Sequence, residues 1–291
     1  MKKIFVLFFI LSIINVKSQQ KIYEMSNKEI DVLLTKTAKK NLTITERMNF
    51  YSEMFLTMPY NLTCAGDGPY ALYETQPLVN FKETNCMVFC EHVLALSISD
   101  SWDNFFNNLQ QIRYKDGTIG MRTRNHYTMA DWLPENSWLL NDITKLIGGK
   151  STKSFTRTIS HKKFFEGKGI TDMRYVLPDR TITIDYIPFD ALENCVDKMK
   201  VGDIFALIFA NKTDIFSAHM LMIMERDGKK VVRESALTPK TTLDTPVETW
   251  IKKFKSSKVY AGVSFMRVKD ELNQRGKIIL PWEIHKLKES K

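Results

Sequence analysis

The rhythm of apolar and polar positions changes near the middle of the chain. In the first half, "SNKEIDVLLTKTAKK" reads as a helix opened by a capping box of Ser26 and Glu29. "TITERMNFYSEMFLT", roughly Thr43 to Thr57, reads as a second helix. A long segment rich in Pro, Gly, Asn and Thr, "MPYNLTCAGDGPYALYETQPLVNFKETN", has the composition of an irregular loop, and a loop of that length inside a domain is usually functional. An apolar helix follows from Cys86, then one near Ser101–Gln111 and a turn at Lys115-Asp116-Gly117. Beyond the polar stretch "RTRNHYTMADWLPENSW", the pattern predicts a further helix through Ile147.

The second half is built from short apolar or alternating runs. Strands are predicted at Ser154–Ser160, Thr181–Ile187, Ile204–Ala210, Met220–Arg226, Lys230–Glu234 and Tyr260–Val268, with a hairpin turn at Asp227-Gly228. Brief helices are expected at Phe189–Met199 and Val247–Phe254. Helices first and strands later predict an α+β fold, an antiparallel sheet carrying helices on one side.

Residues 1–18, "MKKIFVLFFILSIINVKS", join a basic start to an apolar run too short to span a bilayer comfortably. This is the layout of a cleavable signal peptide with cleavage after Ser18, and it predicts a soluble, periplasmic or secreted protein. Its removal takes the net charge from +9 to +6 and leaves 273 of 291 residues, ample for a sizeable core. The remaining lysines are scattered, and no basic helix interleaved with aromatics suggests nucleic-acid binding. A basic exported protein is compatible with an anionic envelope polymer as partner. The four cysteines, Cys64, Cys86, Cys90 and Cys195, allow three full pairings in an oxidising compartment. Cys86 and Cys90 lie four apart on one predicted helix, which seldom suits a disulfide, so at least one free thiol is expected.

Cys86 follows Thr84-Asn85 at the first turn of its helix, where the helix dipole and free backbone N–H groups favour a thiolate. That position suits a nucleophile, the alternative being a small packed hydrophobe, which is the reading for Cys90. Of the five histidines, His161 and His285 lie in lysine-rich surroundings and read as surface, and His92 falls on the Cys86 helix itself. His219 opens a strand whose remainder is Met, Leu and Ile. An imidazole at that place suits a general base held rigidly at a sheet edge.

"NCMVFCEHVLAL" resembles the nucleophile segment of the N-acetylmuramoyl-L-alanine amidase-like family, a branch of the NlpC-type, papain-like cysteine hydrolases of bacterial cell walls. Asn85, Cys86, Phe89 and Glu91 fall in register with it. "MPYNL", "IRYKDG" with "RNHYTMADW", "MKVGDIFALIF" and "SAHMLMIMERDGKKVVRESA" extend the resemblance in order from Thr57 to Ala236. It implies a papain-like core whose antiparallel sheet packs on the nucleophile helix, with extra helices. The domain plan is then a leader at 1–18, an N-terminal helical segment at 19–56, and a hydrolase domain at 57–291 with a helical insertion around 101–150.

The resemblance implies Cys86 as nucleophile and His219 as base. The family's usual third histidine is absent, and Glu234 stands in the corresponding run, where a carboxylate can orient an imidazole. Asn85 and Val88 also depart from the family's Asp and Thr. Tyr60 matches a tyrosine that approaches the nucleophile. Arg124, His126 and Trp132 are the expected contacts to peptidoglycan carboxylates and sugars, with a structural turn as the rival reading. The implied activity is cleavage of the amide between N-acetylmuramic acid and L-alanine, in peptidoglycan or muropeptides, at the periphery of the envelope and without metal or cofactor. A D-glutamyl–diamino acid endopeptidase of the same fold and a degenerate wall-binding protein are the alternatives. "CMVFCEH" collects two thiols and an imidazole, but no His-Glu-x-x-His or paired Cys-x-x-Cys motif supports a metal hydrolase.

Overall fold

The computed structural model describes residues 20–289, so the signal-peptide expectation lies outside the described residues. Helix α1 (Asn27–Ala38) begins at the capping box its sequence predicts, Ser26 Oγ accepting from the Glu29 N–H at 3.3 Å and the Glu29 carboxylate accepting from the Ser26 N–H at 2.7 Å. The same device, built from Thr43 and Glu46, opens α2 (Ile44–Met54). Asn85 caps α3 (Cys86–Ile98) and Ser101 caps α4 (Trp102–Arg113). No helix among the described residues is long and apolar enough to cross a membrane.

Eight strands follow: β1 (Leu140–Asp142), β2 (Lys153–Ile159), β3 (Arg180–Pro188), β4 (Ile204–Phe209), β5 (Ser217–Arg226), β6 (Lys229–Ala236), β7 (Thr241–Pro246) and β8 (Tyr260–Val268). Their order is β2-β3-β8-β4-β5-β6-β7, all pairs antiparallel, with β1 added beside β8. Asp227 and Gly228 both take positive φ, 52° and 73°, in the tight β5–β6 hairpin that this dipeptide favours.

Helices cover both faces of the central strands, where the sequence suggested one. Ile204, Ala206, Ile208, Met220, Met222 and Met224 share a core with Phe89 and Val93 of α3. The alternate residues Phe205, Leu207, Leu221 and Ile223 pack against Trp250 and Ile251 of the helix Val247–Phe254. Burial on both faces explains why these strands read as unbroken apolar runs rather than alternating ones. Each side chain so buried contributes about 1.5–3 kcal/mol of transfer free energy.

One other expectation is corrected and two elements are added. The helix expected through Ile147 is a short π turn at Thr128–Trp132, a helical turn at Leu133–Glu135, strand β1, and a helix at Thr144–Gly148. Leu140 pairs with Val268 there, a partner too distant in the chain for local pattern to announce. Strand β7 and the helix His161–Gly167 are additional elements. The polar sequence "TTLDTP" is a strand because Asp244 receives the Arg233 guanidinium, Nε to Oδ1 at 2.7 Å and Nη2 to Oδ2 at 2.9 Å.

Arg233 is fully buried, and its Nη1 also donates to Ser52 Oγ of α2 at 2.8 Å. This one side chain ties β6, β7 and α2 together. Asp244→Ala leaves that guanidinium buried without its carboxylate, and is expected to cost about 3–5 kcal/mol of stability. The midpoint of urea unfolding measures it; an unchanged midpoint shows that the pair contributes nothing net.

Candidate active site

The start of α3 is fastened before it reaches the thiol. Asn85 Oδ1 accepts from the Val88 N–H at 2.9 Å, and Asn85 Nδ2 donates to the Leu62 carbonyl at 2.9 Å. Thr84 is held in turn between the Pro59 carbonyl and the Asn61 N–H. Asparagine therefore performs the capping task. Cys86 becomes the first helical residue, and among the described residues its own N–H has no acceptor.

Strand β5 brings the base to this point. The Cys86 sulfur faces the His219 side chain and the Met87 and Met220 N–H groups, which favour its charged form. The thiol lies 3.8 Å from the Ala218 carbonyl oxygen. On the opposite edge of the ring, His219 Nε2 contacts Glu234 Oε2 at 2.6 Å. With Nε2 engaged by the carboxylate, Nδ1 is the nitrogen left for sulfur. Glu234 belongs to β6, the strand paired with β5, so the sheet itself sets the carboxylate–imidazole distance.

The electrostatics favour an ion pair. Burial pushes the Cys86 thiol up, but the hydrogen bond and charge of His219 with the two backbone N–H groups outweigh it, and its pKa is lowered. Burial acts against the His219 cation, yet Cys86 and Glu234 together raise its pKa to about 10. A thiolate beside an imidazolium is the state these shifts describe, and a thiolate is the nucleophilic form of cysteine.

The other expected residues divide. A cleft of about 520 Å³ is lined by Tyr60, Cys86, Arg124, His126 and His219. Burial first, then the Cys86 and Cys64 charges, raise the Tyr60 phenol to about 12, so it remains a hydroxyl donor at neutral pH. Arg124 is already paired with Asp67 and Glu74, and Lys168 shares Glu74 at 2.6 Å. Its charge is thus spent on holding the loop, and it is not a free clamp for a substrate carboxylate. Burial lowers His126 to about 4, so its imidazole is neutral, with Nε2 on the Met121 carbonyl at 2.7 Å.

Trp132 is a correction: it is fully buried in the main core and absent from the cleft wall. His161 is another, since it is buried and bonds Asp131 at 2.9 Å instead of facing solvent. Glu91, five residues after the thiol, is buried against Arg113 at 3.6 Å and reaches the cleft. Phe164 also lines the cleft; its only trace in the sequence is an aromatic pair, Phe164-Phe165, amid lysines behind a Ser160 cap. The Met220 N–H carries no trace, because backbone donors are aimed by the fold alone. Cys64, Cys86, Cys90 and Cys195 are all free thiols.

The mixed helix and antiparallel-sheet fold thus brings a thiol, an imidazole and a carboxylate together at a helix start. Over residues 50–257 the chain matches the AmiA-like, N-acetylmuramoyl-L-alanine amidase-like family, and it belongs to that family. Its fold is similar to that of a protein from Legionella pneumophila, with TM-score 0.77 and 22% identity over 89% of this chain and 98% of the other. It is also similar to an N-acetylmuramoyl-L-alanine amidase from Bacteroides uniformis, with TM-score 0.63 and 25% identity over 78% of this chain and 99% of the other. No curated protein matches the chain in sequence.

Proposed function

We propose that the protein is an exported, papain-like cysteine amidase of NlpC type that cuts the amide between N-acetylmuramic acid and L-alanine in peptidoglycan or its fragments. The observation that carries this reading is the contact chain from the Cys86 sulfur through His219 to Glu234. In this mechanism the Cys86 thiolate attacks the lactyl carbonyl carbon and forms a C–S bond. The carbonyl π pair moves to oxygen, where the free Cys86 N–H and the Tyr60 hydroxyl can donate. The His219 imidazolium passes its proton to the alanine nitrogen as the C–N bond breaks, releasing free stem peptide. Neutral His219 then takes a proton from water, whose oxygen attacks the thioester; the C–S bond breaks to return the thiolate, and the lactyl carboxylic acid gives its remaining proton to solvent. Glu234 stays ionised throughout and holds the ring by its Nε2–H.

Family membership and the Bacteroides amidase support the choice of bond, and the leader-like residues 1–18 support export. Mass spectrometry of muropeptides after incubation with the wild-type protein tests it. Free stem peptide and peptide-free glycan are expected; a dipeptide containing the diamino acid would move the function to the endopeptidase, and intact muropeptide retained on the protein would make it a binding protein. If Tyr60 donates to the oxyanion, Tyr60→Phe lowers kcat on the order of 10²-fold with KM near wild type. A raised KM with unchanged kcat assigns the phenol to substrate binding instead.

A further inference from the structure

The catalytic pair sits near one end of the sheet, and the strand register shows which segments share that end. Phe209 at the close of β4 pairs with Tyr260 at the opening of β8, and Ile208 pairs with Ser217 at the opening of β5. Ala236 at the close of β6 pairs with Thr241 at the opening of β7. Segments 210–216, 237–240 and 252–259 therefore lie side by side beyond His219 and Glu234. The Ala210 N–H donates to the Val259 carbonyl at 2.9 Å, tying the first of them to the third. They also border the cleft: Ile215 lines it, and the Lys240 carbonyl accepts from the N–H of Tyr60, another cleft residue.

These segments carry six lysines, Lys212, Lys240, Lys252, Lys253, Lys255 and Lys258, against one acid, Asp214, and all seven are exposed. Lys255 is engaged by Glu193 at 2.9 Å, and Lys253 rests over the Phe254 ring at 5.5 Å. The other four lysines take part in no ion pair or side-chain hydrogen bond among the described residues. Asp190 and Glu193, which follow the end of β3, bring the nearby acids to three, so the face keeps an excess of positive charge. Two large apolar side chains stand among these lysines and remain in water, Leu237 at 60% and Val259 at 57% exposure. Exposed apolar tips ringed by ammonium groups fit a phase boundary, where anionic headgroups meet the charges and the tips leave water for the acyl region. A soluble polyanion would engage the lysines alone and leave both tips hydrated.

We propose that this end of the sheet docks the protein on an anionic phospholipid bilayer, with Leu237 and Val259 at headgroup depth and Lys212, Lys240, Lys252 and Lys258 against the lipid charges. Attachment of this kind is peripheral and reversible, and salt weakens it by screening the lysines. It holds the mouth of the cleft at the bilayer surface, because Ile215 and the Tyr60–Lys240 contact belong to both. The docking concerns where the protein sits, and it stands whichever bond the site cuts.

The test uses residues 19–291, which contain every described element, so that the apolar run of residues 1–18 cannot itself bind lipid. Co-sedimentation at low salt compares vesicles of phosphatidylglycerol with phosphatidylethanolamine against vesicles of phosphatidylcholine alone. The parent chain is expected to partition onto the anionic vesicles, to ignore the zwitterionic ones, and to be released by high salt. Each lysine near such a surface strengthens binding about fivefold, so Lys212→Gln, Lys240→Gln and Lys258→Gln together should lower partition roughly 100-fold. Leu237→Ser with Val259→Ser should lower it roughly tenfold. All five residues are exposed, and unchanged unfolding midpoints verify that the variants fold. Partition untouched by the triple variant, or no uptake of the parent chain by anionic vesicles, overturns the proposal. Partition that ignores the serine pair overturns it too and assigns the lysines to a soluble polyanion, with poly-L-glutamate then competing equally against both proteins. Muropeptide turnover is measured without lipid, so failed docking and a failed amidase reading give different results.

Discussion

Cys86→Ala is expected to lower kcat for stem-peptide release by a factor on the order of 10⁴ or more, leaving the unfolding midpoint near that of wild type. Enzymes whose covalent intermediate forms on one side chain lose most of their rate enhancement when that atom is removed, and keep only what binding and oxyanion donors supply. No other thiol can take its place: Cys64, Cys90 and Cys195 are buried, and all three thiols have raised pKa values, with burial the first cause. Cys86 is partly buried and lines the cleft rather than the core, so its loss leaves no large cavity. Single-turnover mass spectrometry should show a thioester adduct on the wild type and none on the variant. Equal product from both proteins would end the cysteine mechanism.

Glu234→Gln is expected to reduce kcat/KM on the order of 10²-fold, at the lower edge of what a proton-transfer group contributes, and to narrow its pH profile. The reactive state is thiolate with imidazolium. It is lost in acid when sulfur takes a proton, and lost in alkali when His219 gives one up. The thiol pKa is lowered and the His219 pKa is raised to about 10, so the wild-type plateau should span neutral pH and decline on the alkaline side near that value. Glutamine keeps an oxygen for the Nε2–H but removes the negative charge that raises His219. The alkaline limb must then move toward neutrality. The acid limb moves far less, because the ring is already charged when sulfur titrates, and both limbs report the coupled pair. Superimposable profiles would show that Glu234 does not control the imidazole.

Local signals carried much of the molecule. The capping box at Ser26, the Asn85 cap and the Asp227-Gly228 turn act within four residues, and each formed where its residues predict. The chemistry of Cys86 and His219 was legible for the same reason: a helix start and a strand start are both visible in order along the chain. Trp132 and His161 were misplaced because burial is a collective property. The segment "RNHYTMADW" is polar on average, yet Trp132 turns into the core and Asp131 joins His161 and Arg180. Arg124 kept its place beside the cleft but found carboxylates in the preceding loop, partners that only folding supplies.

The sequence by itself determined the α+β order of elements, the thiol at a helix start, the imidazole at a strand start and the family, because these depend on residue type and short-range spacing. Tertiary structure decided that helices cover both sheet faces, that β1 and β7 exist, and that Glu234 meets His219 across β5 and β6. Those outcomes depend on strand pairing and burial between residues distant along the chain, where the choice among partners is made by the free energy of the whole packed arrangement and not by any short segment.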